Sequence, residues 1–279
     1  MKKVKGDSIK IQVAIWEGGG KPVLCVHGLT ANCRCWDTIA SALAPGHKVI
    51  AMDLRGRGFS DAPPSGYSVE HHCWDILSLI DGLNLKKVVL MGHSLGAFIS
   101  LAFAARYPER VAKVILVDGG GRLSEAQMTK VLAGIKPSVE RLGQVFPTFE
   151  AYTSLLKQAP FLRSWNQFLD IYFQYEVEEV EGGIRSRVQP QHIQEELANL
   201  QRVDASEFYR KISCPVLILR ATQGMVAEDD LLLPEDVAER MVREIPNAKR
   251  VDIEGTNHYT IVFHPNEKRD RAILEFLEA

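Results

Sequence analysis

The order of short apolar segments is the feature that most constrains the fold of this chain. Up to residue 121, apolar stretches rich in β-branched residues alternate with stretches of helical periodicity. Strands are predicted at residues 9–16, 22–26, 47–52, 87–91 and 111–117, and helices at residues 35–43, at residues 69–83 and after Ser94. Short apolar strands separated by helices are typical of a parallel sheet that is covered on both faces. The sequence therefore predicts an α/β fold with a mostly parallel central sheet.

This alternation stops after residue 121 and resumes at residue 215. Between these points the sequence has helical periodicity only, and its apolar stripes are Met128, Val131, Leu132 and Ile135, then aromatic residues from 161 to 173, then Ile193, Leu197 and Leu200. We therefore predict a core formed by residues 1–121 and 210–279, with an all-helical cap formed by residues 122–209. The acidic run 176–181 is interpreted as a solvated face or loop.

The charge balance argues against polyanionic partners. Lys and Arg number 33 and Asp and Glu 35, which leaves a net charge of -2. A nearly neutral chain has no general attraction to nucleic acid or anionic membranes, so neither partner is predicted. Residues 88–105 lack formal charges, but the polar turn at residues 92–96 favours a buried strand and helix over a membrane span.

The cysteine pattern does not indicate a metal site or a disulfide framework. The five cysteines are scattered, and the close pair Cys33 and Cys35 has no second pair to complete a zinc site. His71, His72 and Cys73 are interpreted as the start of a helix. We expect no metal, no cofactor, no signal peptide, reduced thiols and a cytoplasmic location.

The segment Gly92-His93-Ser94-Leu95-Gly96 fits the pattern G-x-S-x-G and joins a predicted strand to a predicted helix. A serine on so sharp a turn needs flanking glycines, because side chains there would collide with the helix and the neighbouring strand. The turn lifts the hydroxyl out of the sheet, and the N-terminus of the new helix points at the same place. We predict that Ser94 is a nucleophile.

A serine hydroxyl needs an adjacent base to act as a nucleophile. His258 follows the predicted strand 249–253, and loops at the carboxyl ends of parallel strands share one edge of the sheet with Ser94. The other histidines fall within the serine turn, in helices or at strand starts, apart from His27 in the first loop. His258 is therefore the predicted base.

These segments together resemble those of the α/β-hydrolase family. Two further segments are familiar in that fold, namely residues 27–30 (His-Gly-Leu-Thr) and residues 53–61 (Asp-Leu-Arg-Gly-Arg-Gly-Phe-Ser-Asp). The resemblance covers nearly the whole chain outside the cap, in the order of the family. It implies that the backbone N–H groups of Leu29 and Leu95 form an oxyanion hole, in which fixed amides stabilise charge that develops on a carbonyl oxygen.

The acid of a Ser-His-Asp triad departs from the common pattern of this family. The usual acidic position falls on Gly224. Asp118 ends the predicted strand 111–117 and resembles the acid in the subset of the family that uses this strand. The insertion around Asp229 and Asp230 is the alternative source. We predict Asp118, whose carboxylate would hold the tautomer of His258 and stabilise its imidazolium form.

A serine nucleophile, a base and an oxyanion hole support acyl transfer to water. The leading prediction is a carboxylesterase that cleaves small to medium apolar esters through an acyl-enzyme on Ser94. A lactonase or carbon–carbon bond hydrolase would use the same triad, and a ligand-binding receptor of this fold is the non-enzyme alternative. The cap aromatics Trp165 and Phe168 are predicted to contact substrate. A small-molecule ester is the expected partner, and the protein is expected to be a monomer or a small homo-oligomer.

Overall fold

The structure is a computed structural model and describes residues 1–6, 8–162 and 164–279. The strands, in chain order, are β1 Lys2–Lys5, β2 Lys10–Trp16, β3 Val23–Val26, β4 Val49–Met52, β5 Val88–His93, β6 Val111–Val117, β7 Val177–Val180, β8 Gly183–Ser186, β9 Val216–Ala221 and β10 Ala248–Ile253. The helices are α1 Asp37–Leu43, α2 Val69–Gly82, α3 Leu95–Arg106, α4 Glu125–Glu140, α5 Phe149–Gln158, α6 Gln167–Glu176, α7 Pro190–Leu200, α8 Ser206–Tyr209, α9 Glu235–Glu244, α10 Thr260–Phe263 and α11 Glu267–Glu278.

The main sheet has the strand order β1-β2-β4-β3-β5-β6-β9-β10. Strands β1 and β2 pair antiparallel, and β2 pairs antiparallel with β4. From β4 to β10 all neighbours are parallel. The carboxyl ends of β5, β6, β9 and β10 therefore lie at one edge of the sheet, in adjacent positions.

Both faces of the sheet are covered by helices. On one face Leu90 belongs to a buried cluster with Ile76 of α2 and Phe103 of α3. On the other face its neighbours in β5 belong to a cluster with Ile39 of α1 and Ile273 of α11. Successive strand residues point to opposite faces, so a strand that is buried on both sides is apolar throughout. The predicted α/β fold, with a mostly parallel sheet between two layers of helices, is confirmed.

The sequence predicted an all-helical segment between β6 and β9, and this prediction is wrong. Besides helices this segment contains an antiparallel hairpin formed by β7 and β8. Gly182 and Gly183 have φ values of 85° and 145°, in the region that favours glycine, and they allow the tight turn between the two strands. The acidic run 176–181, which was interpreted as a solvated face or loop, includes strand β7, in which Glu179 is exposed. The division of the chain at residues 121 and 210 stays a prediction.

Helix α7 is attached to the core by a buried group of charges. Oε2 of Glu196 accepts hydrogen bonds from Arg57 Nη2 at 3.1 Å and from His72 Nε2 at 2.8 Å. All three side chains are at most 1% exposed. Burial alone would raise the pKa of the Glu196 carboxyl, but His72 and Arg57 outweigh it and lower that pKa to about 2. The ionised carboxylate therefore holds the inserted segment on the core.

We expect Glu196→Gln to lower the free energy of unfolding at pH 7 by about 3 kcal/mol or more, because Arg57 is left buried without its counter-charge. The folded pKa lies below the ordinary value of 4.5. The stabilisation by Glu196 is therefore present above pH 4.5 and is lost as the pH falls toward 2. Denaturant unfolding at pH 7 and pH 3 should show the difference between wild type and variant shrinking at the lower pH.

Glu195→Gln is the matched control on the same helix. Glu195 accepts the backbone N–H groups of Gly66 and Tyr67, which a glutamine carbonyl can still accept, and neither bond involves Arg57. We expect a small loss of stability for this variant. An equal loss for both variants, or a Glu196→Gln effect of the same size at pH 3, would show that the buried carboxylate does not hold the helix.

Candidate active site

Ser94 lies between the end of β5 and the start of α3 in a strained backbone conformation, with φ 56° and ψ -120°. The close approach of strand and helix explains the flanking glycines. A Cβ atom on Gly92 would lie 2.1 Å from the carbonyl oxygen of Gly96, and one on Gly96 would lie 2.0 Å from that of Val26. Such strain costs on the order of 1–3 kcal/mol and persists only where the surroundings enforce it. The elbow therefore presents the serine hydroxyl above the sheet.

Asp118 and His258 form a buried hydrogen-bonded pair. The carboxylate oxygen Oδ2 of Asp118 lies 2.7 Å from Nδ1 of His258. The other oxygen, Oδ1, accepts the backbone N–H of Ala221 at 3.1 Å, so β9 fixes the carboxylate from its second side. Because the carboxylate is an acceptor, the hydrogen of a neutral His258 ring lies on Nδ1, and Nε2 is left as a proton acceptor. His258 and Ser94 line the same cavity.

A second histidine, which the sequence analysis had set aside, packs against His258. The rings of His93 and His258 are stacked with centroids 4.4 Å apart. His93 Nε2 donates a hydrogen bond to the backbone carbonyl of His258 at 2.9 Å. Burial lowers the pKa of His93 well below its ordinary value, and the neighbouring His258 lowers it further. His93 is therefore a neutral support for the ring, and its place inside the serine motif was the available signal.

The alternative acids lie in other surroundings. Asp230 is buried, and its carboxylate accepts the backbone N–H groups of Met225, Val226 and Ala227. Asp229 is exposed and pairs with Lys130. The Asp230 carboxylate thus stabilises the loop after β9, and the Asp229 carboxylate forms an ion pair at the surface. A side chain at Gly224 does not fit, because its Cβ would lie 1.8 Å from the carbonyl oxygen of Ala227.

Leu29 and Leu95 also line the cavity that contains Ser94. In the described part of the chain, neither backbone N–H donates a hydrogen bond to another group of the protein. The peptide that carries the Leu29 N–H is held by His27, whose Nδ1 donates to the Gly28 carbonyl at 2.8 Å while its Nε2 accepts the Leu54 N–H. Both amides are thus available as donors beside the serine.

The cavity has a volume of about 120 Å³ and a mainly apolar lining. Helix α4 contributes the stripe Met128, Val131, Leu132 and Ile135, and α7 contributes Leu197 and Leu200. Of the described residues, no Asp, Glu, Lys or Arg lines this cavity. The sequence analysis had identified these stripes as helical faces but had not assigned them to substrate. The available signal was that α4 is the first helix after β6, because segments that follow parallel strands begin at the edge of the sheet where Ser94 lies.

Trp165 and Phe168, which are predicted to contact substrate, are not among the described residues that line the cavity. The indole of Trp165 stacks on Phe173 at 5.3 Å, and its Nε1 donates to Asp170 at 2.7 Å. Phe168 is half-buried in α6. Tyr172 of the same stripe does line the cavity, and its ring packs edge-to-face on Phe263 of the core. Helical periodicity identifies the buried face of a helix but not what that face covers, so substrate contact by these two side chains stays a prediction.

The described residues contain no group of three or more His, Cys, Asp or Glu side chains arranged to hold a metal ion. His72, which belonged to the cluster considered above, bonds Glu196 instead. Among the described helices, none has both the length and the apolar character needed to cross a membrane.

Comparisons with known proteins agree with this fold. A family model described as alpha/beta hydrolase fold matches residues 21–265. The chain is similar to 2-(acetamidomethylene)succinate hydrolase of Mesorhizobium japonicum, with 29% identity over 94% of this chain and 90% of the relative. It is 31% identical to 3-hydroxybutyrate-oligomer hydrolase of Cupriavidus necator over 85% of this chain and 82% of the relative.

The fold also matches a solved structure over its whole length. The crystal structure of E-2-(acetamidomethylene)succinate hydrolase has a TM-score of 0.87 and 27% identity, and the match covers 100% of this chain and 98% of that one. The serine elbow, the sheet order and these likenesses lead to one conclusion: the chain belongs to the α/β-hydrolase family.

Proposed function

We propose that the protein is a serine hydrolase that cleaves uncharged carboxylic esters. In this proposal Ser94 is the nucleophile, His258 the general base and Asp118 the residue that orients the base. The observation that carries it is the buried bond of 2.7 Å between Asp118 Oδ2 and His258 Nδ1, in a cavity that also contains Ser94. A carboxylate on Nδ1 leaves Nε2 free to take a proton, which a serine nucleophile requires.

The proposed reaction runs through an acyl-enzyme. Ser94 Oγ attacks the ester carbonyl carbon while His258 Nε2 takes the hydroxyl proton. The N–H groups of Leu29 and Leu95 stabilise the negative charge on the carbonyl oxygen. Collapse of this intermediate breaks the bond to the alcohol, which leaves with the proton from His258. A water molecule, deprotonated by His258, then attacks the acyl group and releases the acid and Ser94.

The cavity lining supports an uncharged, largely apolar substrate. A carboxylate or ammonium group placed there would lose its hydration without gaining a counter-charge from the described lining residues, which is costly. The relative from Mesorhizobium japonicum is named for a succinate, which is a dicarboxylate. We therefore propose that this chain acts on a small molecule that differs in charge from the substrate of that relative. The proposed location is the cytoplasm. Lactones are cyclic esters and fall within the same proposal.

Ser94→Ala is expected to abolish turnover of p-nitrophenyl butyrate, because the nucleophilic oxygen is removed. The measurement is steady-state release of p-nitrophenol, with circular dichroism as the control for folding. Each molecule of wild-type protein should hydrolyse many molecules of the ester. A single burst without turnover, or full activity in a folded Ser94→Ala variant, would reject the proposed function in favour of a binding protein or another nucleophile.

Asp118→Asn is expected to lower kcat by about 10⁴-fold, by analogy with the corresponding change in the serine-protease triad, because the tautomer of the base is no longer controlled. Asp229→Asn is the matched control, since Asp229 is exposed and pairs with Lys130. It should retain activity close to that of wild type. The reverse order of effects would assign the acid to the loop after β9.

The neutral character of the cavity is tested with two esters of similar size. We expect kcat/KM for p-nitrophenyl butyrate to exceed that for p-nitrophenyl hemisuccinate by about 100-fold or more, because the free carboxylate has no partner in the lining. Rates are corrected for spontaneous hydrolysis of each ester. Equal values, or a preference for the hemisuccinate, would mean that a cation reaches the cavity.

A further inference from the structure

A pair of hydroxyl groups interrupts the apolar wall of the cavity. Ser138 of α4 and Tyr259, which directly follows His258, both line the cavity and are buried or nearly so. The Ser138 Oγ and Tyr259 Oη atoms lie 2.8 Å apart. The pair thus joins the inserted segment to the loop that carries the proposed base.

Ser138 occupies a position where the helix pattern calls for an apolar residue. It lies one turn beyond Ile135 on the face of α4 that lines the cavity, and Val139 beside it lines the cavity as well. Burial of a hydroxyl among aliphatic groups is unfavourable unless its hydrogen-bonding capacity is used. The position therefore calls for a hydrogen-bonding partner.

The pair retains one hydroxyl hydrogen that can be donated to another group. Two hydroxyl groups carry two hydrogens, and the bond between them uses one. Among the described residues, neither hydroxyl donates to another acceptor. Whichever group donates within the pair, one O–H remains without an acceptor at the wall of the cavity.

Two charged side chains interact electrostatically with Tyr259, namely Arg141 and Asp230, and both have other partners. Nε of Arg141 donates to Tyr152 Oη, and its Nη1 donates to the backbone carbonyl of Ser138. The carboxylate of Asp230 accepts the backbone N–H groups of its own loop. Arg141 has no acceptor atom, and no hydrogen bond joins the Asp230 carboxylate to either hydroxyl of the pair. The spare hydrogen is therefore left for a molecule in the cavity.

We propose that Ser138 and Tyr259 form a donor subsite that binds an acceptor oxygen of the substrate. The chemical class is an uncharged ester that carries a second oxygen, as a ketone, ether or further ester carbonyl, on the group that extends from Ser94 toward α4. This inference rests on the proposed esterase function and specifies its substrate class. A site that donates a hydrogen bond discriminates against analogues that lack the acceptor, because the buried donor is then left unpaired.

The test compares esters that differ only in the second oxygen. The acyl side is tested with p-nitrophenyl 4-oxopentanoate and 5-oxohexanoate against the pentanoate and hexanoate. The alcohol side is tested with 5-oxohexyl butyrate against hexyl butyrate. The readout is the ratio of kcat/KM for the oxo ester to that for its alkyl partner, which cancels general effects on the catalytic groups.

In the double variant Ser138→Ala, Tyr259→Phe we expect this ratio to fall by about 10-fold in at least one series, because both donors are lost. Each single variant keeps one O–H and should show a smaller fall in the same direction, which provides the test if the double variant does not fold. Tyr172→Phe is the matched control, since it removes a different hydroxyl from a residue of the same cavity and should leave the ratio unchanged.

The outcomes separate this inference from the proposed function. If wild-type protein turns over the esters and the double variant has the same ratio of kcat/KM values in both series, the donor subsite alone is overturned. A fall of the ratio in Tyr172→Phe but not in the double variant would place the contact elsewhere and also overturn it. Wild-type protein that turns over none of these esters would overturn the proposed function and the subsite together.

Discussion

The parallel order of β5, β6, β9 and β10 is the constraint on which the site depends. Each strand delivers its following loop to the same edge of the sheet, so Ser94, Asp118 and His258 come together although they are far apart in sequence. The sheet also fixes the carboxylate itself, because the Ala221 N–H of β9 binds Asp118 Oδ1. With one oxygen held by the sheet and the other by the His258 ring, the orientation of the imidazole follows from the backbone.

One side chain, that of Arg57, contacts both the inserted segment and the loop that carries Leu29, a proposed oxyanion donor. Arg57 donates from Nη2 to Glu196 of α7 and from Nε to the backbone carbonyl of Leu29, at 3.1 Å and 3.0 Å. The same guanidinium therefore contacts the segment that shapes the cavity and the peptide next to the proposed donor. This arrangement explains why a charged group is buried here: only a planar cation with several N–H groups can hold both partners at fixed angles.

Much of the fold was predictable because its causes are local. Strands buried on both faces are apolar throughout, and the elbow needs Gly92 and Gly96 for reasons of space that hold wherever a strand turns sharply into a helix. The position of Asp118 at the end of a core strand followed from the apolar run at residues 111–117. These features depend on neighbours in the chain or on regular strand pairing.

The inserted segment was predicted less well because its contacts are not local. Helical periodicity showed that Trp165 faces apolar surroundings, but not that Phe173 provides them. Strand β7 of the hairpin has the sequence Val-Glu-Glu-Val, which lacks the alternation of apolar and polar residues that normally indicates a strand. The stacking of His93 on His258 joins the last residue of β5 to the loop after β10, and only the assembled sheet brings them together.

If the proposed reaction is correct, Ser94 carries the acyl group during turnover. Rapid acid quenching of wild-type protein with p-nitrophenyl butyrate, followed by peptide mass mapping, tests it most directly. The account predicts one butyryl group on the peptide that contains Ser94 and none in Ser94→Ala protein. A butyryl group on a different residue, or release of p-nitrophenol at full rate by Ser94→Ala protein, would contradict it.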